Sequence, residues 1–196
     1  MKVILASSSP RRLALLKMLD IYPSVSPPSI QEVKFDDETI SAYVERITKQ
    51  KGNPVHAANP EATLIISSDT VVHVDGRILG KPANRLEAEA FLQLLSGRWH
   101  EVISGIYLRF GNQSRFSLEK TRVLFSLLTA EEIHFYLDHE KYSDKAGAYG
   151  IQSMASLFVE KIEGCYFNVV GFPVNLFYRM IKEMGIDIQR LRGTAP

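Results

Sequence analysis

Asp69 stands inside Leu64-Ile65-Ile66-Ser67-Ser68-Asp69-Thr70-Val71-Val72, whose apolar start has the pattern of a strand covered on both faces. A carboxylate in that setting is costly unless a cation or a metal pairs with it. In open α/β sheets binding sites collect at the carboxyl ends of such strands. A structural aspartate would cap a turn, yet Thr70-Val71-Val72 continues as strand and leaves no turn to cap. Further charges stand where they need a reason. Arg11 and Arg12 follow Ser7-Ser8-Ser9-Pro10 in the first turn of a predicted helix, where the macrodipole already places partial positive charge. Lys81 lies between Gly80, which allows close backbone approach, and Pro82, which holds it extended. Lys51 and Lys145 add cations; Glu32 and Asp144 add acids. Separated cations facing a few carboxylates are what metal-assisted chemistry on a polyphosphate requires.

The composition leaves room for this and excludes other classes. With 196 residues, 45% of them hydrophobic and 23% charged, the chain suffices for one domain with a substantial core. A net charge of +1 offers no broad attraction for nucleic acid or acidic membranes, although a small anion needs only a local cluster. Cys165 is the single cysteine, so an intrachain disulfide and a cysteine-based zinc site are excluded, in keeping with a reducing cytoplasm. The N-terminal apolar run is too short for a signal peptide, and no stretch has the length of a membrane span. Neither a Walker loop nor a G-x-G-x-x-G turn is present. His100-Glu101 is not a zincin motif, because Ser104 stands where its second histidine belongs. No G-x-S-x-G elbow supports a serine hydrolase.

The elements that must position these residues follow from periodicity. Val3 to Ala6 predicts a buried strand. Ser9 as N-cap and Pro10 at the first helical position predict a helix, with Leu15, Leu16 and Leu19 inward. Strand, hydroxyl-rich loop and helix N-terminus form a candidate phosphate cradle, unless both arginines point into water. Tyr22 to Ser26 reads as a second strand, and Asp36-Asp37-Glu38 as the cap of a helix bearing Ile40, Tyr43, Val44 and Ile47 inward. Lys51 either continues that stripe or lies on a frayed end before Gly52 and Pro54. Asp75-Gly76 signals a hairpin. Asn84 with Glu87 and Thr129 with Glu132 have capping-box spacing, the former opening a helix with Leu86, Ala90 and Leu94 inward. Residues 98–127 predict two long strands joined near Gly111-Asn112. The loop 143–152 suits a ligand or a simple connector, Leu157 to Ile162 reads as strand, and Gly164 and Gly171 bracket a turn with Val169-Val170. A last helix runs from Pro173 to Gly185 with Val174, Phe177, Ile181 and Met184 inward. The succession means α/β with a mixed sheet.

Several segments resemble the motifs of the Maf family. They are residues 6–12 (ASSSPRR), 68–72 (SDTVV), 79–82 (LGKP), 95–100 (LSGRWH), 144–152 (DKAGAYGIQ), 162–164 (IEG) and 168–173 (NVVGFP). The likeness runs in order over nearly the whole chain. It implies the elongated α/β fold shared with inosine triphosphate pyrophosphatases: one domain over residues 1–196, with two lobes around a central cleft, often homodimeric. It implies hydrolysis of a nucleoside triphosphate between the α and β phosphates. The catalytic carboxylate falls on Asp69, the phosphate-cradling residues on Ser7, Ser9, Arg11, Arg12, Lys51 and Lys81, and the second acid on Glu32. Asp69 and Glu32 would hold Mg²⁺ or Mn²⁺.

Arg12, Thr70 and Gln152 match the branch acting on dTTP and UTP, whereas the branch acting on 7-methyl-GTP has a glutamate in place of this glutamine. A neutral amide offers a donor and an acceptor to uracil or thymine. Three positions depart from the pattern: Gly52 replaces alanine beside Lys51, Ser153 replaces glycine beside Gln152, and Cys165 occupies a usually polar turn. The resemblance implies a cytoplasmic enzyme with a nucleoside triphosphate as partner and no nucleic acid or membrane. The rival readings are a purine triphosphate pyrophosphatase and a non-catalytic nucleotide-binding regulator of septum formation.

Overall fold

The structure is a computed structural model that describes residues 1–59 and 63–193. Among the described residues seven strands form a mixed sheet: β1 (Lys2–Leu5), β2 (Ser24–Val25), β3 (Thr63–Val74), β4 (Arg77–Leu79), β5 (Trp99–Phe110), β6 (Gln113–Phe125) and β7 (Val159–Glu163). Their order is β2-β1-β3-β5-β6-β7, with β4 paired to β3. The helices are α1 (Pro10–Lys17), α2 (Ile40–Ala57), α3 (Arg85–Leu95), α4 (Ala130–His139), α5 (Tyr166–Val170) and α6 (Val174–Glu183). The expected mixed α/β architecture is therefore present. The chain divides into two compact units, one of Met1–Asp69, Ser104–Glu119 and Gly171–Pro196, the other of Thr70–Ile103 and Lys120–Val170.

In the first unit β1 pairs parallel with β2 and, from Lys2↔Thr63 to Leu5↔Ile66, parallel with β3. Val3, Ile4, Leu5, Leu64, Ile65 and Ile66 are all buried, as unbroken apolar runs in a covered parallel sheet should be. Helix α2 lays Tyr43, Val44, Ile47, Thr48, Gly52 and Val55 inward. It begins at Thr39, whose side chain accepts from the Ala42 N–H, so the acidic run 36–38 is not the cap. Pro54 does not end it either. The helix continues to Ala57 and forgoes only the bond a proline cannot donate. At the chain's end α6 buries Leu176, Phe177, Met180 and Ile181, and Gly185 (φ 68°) closes it in the left-handed region. Val174 is only half-buried.

In the second unit the turn Asp75-Gly76 (φ 49° and 76°) joins β3 to antiparallel β4, the backbone a two-residue hairpin demands. Strand β7 pairs antiparallel with β6. Helix α3 turns inward Ala88, Phe91, Leu92 and Leu95, while Leu86 is exposed, so its apolar stripe is rotated from the expected one. Asn84 accepts from the Glu87 N–H, but Glu87 reaches back to Ala83 and completes no capping box. Thr129 and Glu132 do complete theirs. Val169-Val170 belongs to the short helix α5.

The core of this unit is aromatic. His100 lies edge-on to Phe125 and Tyr149, and its Nε2 is 2.7 Å from the Tyr149 hydroxyl. Burial is the largest influence on the imidazole and lowers its pKa to about 4. The native state therefore keeps His100 neutral, whereas an unfolded histidine gains a proton near pH 6.5. The unfolded state binds more protons between those values, so stability present above pH 6.5 is lost on acidification. The predicted loss is about 3 kcal/mol by pH 4. In urea titrations from pH 7 to 4.5, the stability difference between wild type and His100→Gln shrinks as pH falls; a pH-independent difference contradicts the assignment.

Candidate active site

The site in the first unit is built at the carboxyl end of the parallel strands. The Ala6 N–H donates to the Ile66 carbonyl (2.8 Å), so the chain leaving β1 enters its loop beside Ser67, Ser68 and Asp69. Alternation along β3 then sends Ser67 and Asp69 to one face, and both meet α2. The Ser67 hydroxyl donates to the Thr48 carbonyl (2.8 Å), and Asp69 Oδ1 lies 2.6 Å from Lys51 Nζ. That ammonium also lies 2.8 Å from Glu32 Oε1, and its side chain is 12% exposed. Lys51 thus continues the buried stripe of α2, and its amine is the point on which both predicted acids converge.

The approach of α2 to the sheet is close because two glycines permit it. A Cβ on Gly52 would stand 2.6 Å from Ser67 Oγ and 2.8 Å from Tyr107 Cδ1. On Gly105 of β5 it would stand 2.7 Å from Thr48 Oγ1. The glycine beside Lys51 is therefore matched to Ser67 and Tyr107, and Lys51 retains its reach to Asp69.

Arg12 points inward and braces the loop. It is 8% exposed; its Nε donates to the Gly171 carbonyl (2.9 Å), and Nη1 donates to Ser7 Oγ (3.0 Å) and the Ser68 carbonyl (2.6 Å). Burial lowers its pKa, and the charge of Asp69 opposes that shift. The expected alternative, an arginine in water, does not hold for this residue; Arg11 is half-buried. Ser9 occupies the N-cap position, but its side chain makes no capping bond. Instead its backbone N–H donates to Ser7 Oγ (3.2 Å), which folds the serine loop back on itself.

Tyr43 was legible only as core, and its hydroxyl does more. It donates to the Glu32 carbonyl (3.3 Å). Burial first, then the charges of Asp69 and Glu32, push its pKa up to about 12, so it remains a donor. Glu32 and Asp69 are hard oxygen donors aimed at one cation, a set suited to a small divalent ion completed by phosphate oxygens. Among the described residues no group of three or more His, Cys, Asp or Glu could hold a metal unaided.

The remaining predicted residues belong to the second unit. Thr70 follows Asp69 directly and is half-buried; Lys81 and Gln152 are exposed. Their loops meet, since the Gly147 N–H donates to the Gly80 carbonyl (3.1 Å). Gly147 and Ala148 both have positive φ (67° and 64°), and Ala148, a strained position for a residue with a Cβ, is held by Tyr136, whose hydroxyl donates to its carbonyl. Lys145 pairs with Asp144 at 3.0 Å, and its stem packs on Gly150. Ser153 donates to the Gly150 carbonyl (3.1 Å).

Known proteins resemble this chain throughout its length. The family model described as Maf-like protein matches residues 2–184. A dTTP/UTP pyrophosphatase of Carboxydothermus hydrogenoformans is 46% identical, covering 94% of this chain and 100% of that protein. Proteins of the same name from Syntrophomonas wolfei and Bacillus pumilus are 42% and 39% identical, covering 95% and 94% of this chain and 99% and 97% of theirs. Among solved structures, the Staphylococcus aureus Ham1 protein superposes with a TM-score of 0.52 at 13% identity, over 94% of this chain and 100% of that one, a likeness of fold.

The close approach of α2 gives a test. In an open helix position alanine stabilises over glycine by about 1 kcal/mol; here overpacking costs about 1–3 kcal/mol. Gly52→Ala is expected to lower stability in urea unfolding and to reduce turnover by shifting Lys51. A variant more stable than wild type contradicts the tight fit.

Proposed function

The chain belongs to the Maf family, and from that premise we propose that it hydrolyses dTTP and UTP to the nucleoside monophosphate and pyrophosphate. The observation that carries the reading is the convergence of Asp69 and Glu32 on Lys51 at 2.6 and 2.8 Å, in a chain 46% identical to a protein named dTTP/UTP pyrophosphatase. Water attacks the α-phosphorus, the bond to the oxygen bridging the β-phosphate breaks, and the water's proton passes to solvent by way of Asp69. Asp69 orients that water and accepts its proton; Lys51 carries positive charge to the phosphates. Arg12 holds Ser7 and the Ser68 carbonyl in place, while Arg11, Ser7 and Ser9 present donors to phosphate oxygens. Glu32 and Asp69 would hold Mg²⁺ or Mn²⁺. When bound, the ion supplies neutralisation of charge on the phosphates.

Thr70, Lys81 and Gln152 are proposed to contact the substrate as well. The amide of Gln152 pairs with the carbonyl and N–H edge that uracil and thymine share. The lone cysteine and the near-neutral charge support a cytoplasmic enzyme that binds no nucleic acid, and the family resemblance supports a homodimer. Among the described residues no helix is long and apolar enough to cross a membrane.

A panel of canonical triphosphates, 7-methyl-GTP and inosine triphosphate, assayed for pyrophosphate release with Mg²⁺ or Mn²⁺, tests the reading. Turnover of dTTP and UTP is expected, and Asp69→Asn is expected to lower it by about 10²–10⁴-fold. Turnover confined to purines overturns the role of Gln152, and silence across the panel overturns the enzyme.

A further inference from the structure

Glu32 lies on a stretch that has no regular structure of its own. Residues 31–37 are all exposed, between β2 and the start of α2. The stretch does not rest on a packed core. A hollow of about 550 Å³ is lined by Ile30, Val33 and Phe35 of this stretch and by Arg46, Gln50 and Pro54 of α2. A loop standing over a hollow is held by its point contacts, and here these come from α2.

Arg46 supplies most of them. Its Nε and Nη2 grip the two carboxylate oxygens of Glu38, each at 2.7 Å, in the two-point geometry that a planar guanidinium provides. The same Nη2 donates to the Val33 carbonyl (2.8 Å), one residue beyond Glu32. The guanidinium also lies over the Phe35 ring, 4.2 Å from its centroid. Glu38 Oε2 in turn accepts from the Phe35 N–H (3.3 Å), so the clamp closes on the loop from both ends. One turn earlier on the same helix, Tyr43 donates to the Glu32 carbonyl. Helix α2 thereby fixes the Glu32 backbone through Tyr43 and Arg46 and its carboxylate through Lys51.

We propose that Arg46, through Glu38, Val33 and Phe35, is a positioning residue that holds the Glu32 carboxylate beside Asp69 for catalysis. The inference rests on the proposed role of Glu32 in turnover. Arg46 Nη1 also donates to Gln50 Oε1 (3.4 Å) and its guanidinium lies 5.6 Å from the Tyr43 ring centroid, but its bonds to Glu38 and Val33 and its stacking on Phe35 are what hold the loop. Lysine cannot replace it, because one ammonium cannot span the two Glu38 oxygens and the Val33 carbonyl while stacking on Phe35.

The test is a double-mutant cycle read by kinetics and by hydrogen exchange of residues 30–38. Arg46→Met is expected to lower kcat/KM by about tenfold, as loss of a supporting partner does, and Arg46→Lys to restore little of it. Glu38→Gln weakens the same clamp from the other side and is expected to act in the same direction. Amide exchange across 30–38 is expected to quicken in each variant while exchange in β1 and β3 is unchanged. In a Glu32→Gln background, Arg46→Met is expected to add less than about twofold, because residues acting through one group are not additive. A full, additive Arg46 penalty in that background, or unaltered exchange across 30–38, overturns the inference alone. Undiminished turnover in Glu32→Gln overturns the role of Glu32 and the inference with it.

Discussion

An aspartate with 7% of its side chain exposed sits at the end of the parallel run of β3, and the pairing of that carboxylate with Lys51 constrains the rest of the first unit. Breaking a buried pair by removing one partner costs about 3–5 kcal/mol, so the fold must deliver the ammonium reliably. It does so with the helix itself. Gly52 and Gly105 let α2 lie against the sheet, Ser67 ties the strand to the Thr48 carbonyl, and the spacing of Lys51 after Ile47 turns its amine toward Asp69. Arg12 does the equivalent for the other side of the site, joining the serine loop, β3 and the chain entering α6 through three hydrogen bonds.

The two arginines and one lysine therefore divide the work in a way their charges alone do not suggest. Arg12 directs Nε and Nη1 to backbone carbonyls and a serine, and it shapes the loop. Arg46 spends its donors on a loop that carries an acid. Lys51, a compact charge on a flexible stem, shares its cation between two carboxylates. In the second unit rigidity comes from backbone instead. Gly147 and Ala148 hold the left-handed turn whose N–H reaches Gly80, so the segments bearing Lys81 and Gln152 are fixed to each other.

Much of this was legible in the sequence, and what was not has a physical reason. The Asp75-Gly76 hairpin, the two long strands meeting at Gly111-Asn112 and the Thr129–Glu132 capping box are local signals, and each has its expected form. Asp69 stood out because a carboxylate interrupts an apolar strand. The role of Arg46 was hidden, since it depends on Glu38 and Val33 across a helix start, a tertiary arrangement without periodicity. Thr39 displaced the acidic run as cap because Glu38 is committed to Arg46. Helix α3 is rotated because a stripe of leucines and alanines reads almost equally well in two registers, and packing chose Phe91. Gly52 resembled a helix end. Only the neighbouring Ser67 and Tyr107 reveal it as the condition for close packing.

In the proposed reaction, water oriented by Asp69 attacks the α-phosphorus. Turnover of dTTP in water enriched in ¹⁸O, with mass analysis of both products, tests it most directly. One ¹⁸O atom is expected in the thymidine monophosphate and none in the pyrophosphate from a single turnover. Label in the pyrophosphate would mean attack at the β-phosphorus and would contradict the assignment of the site.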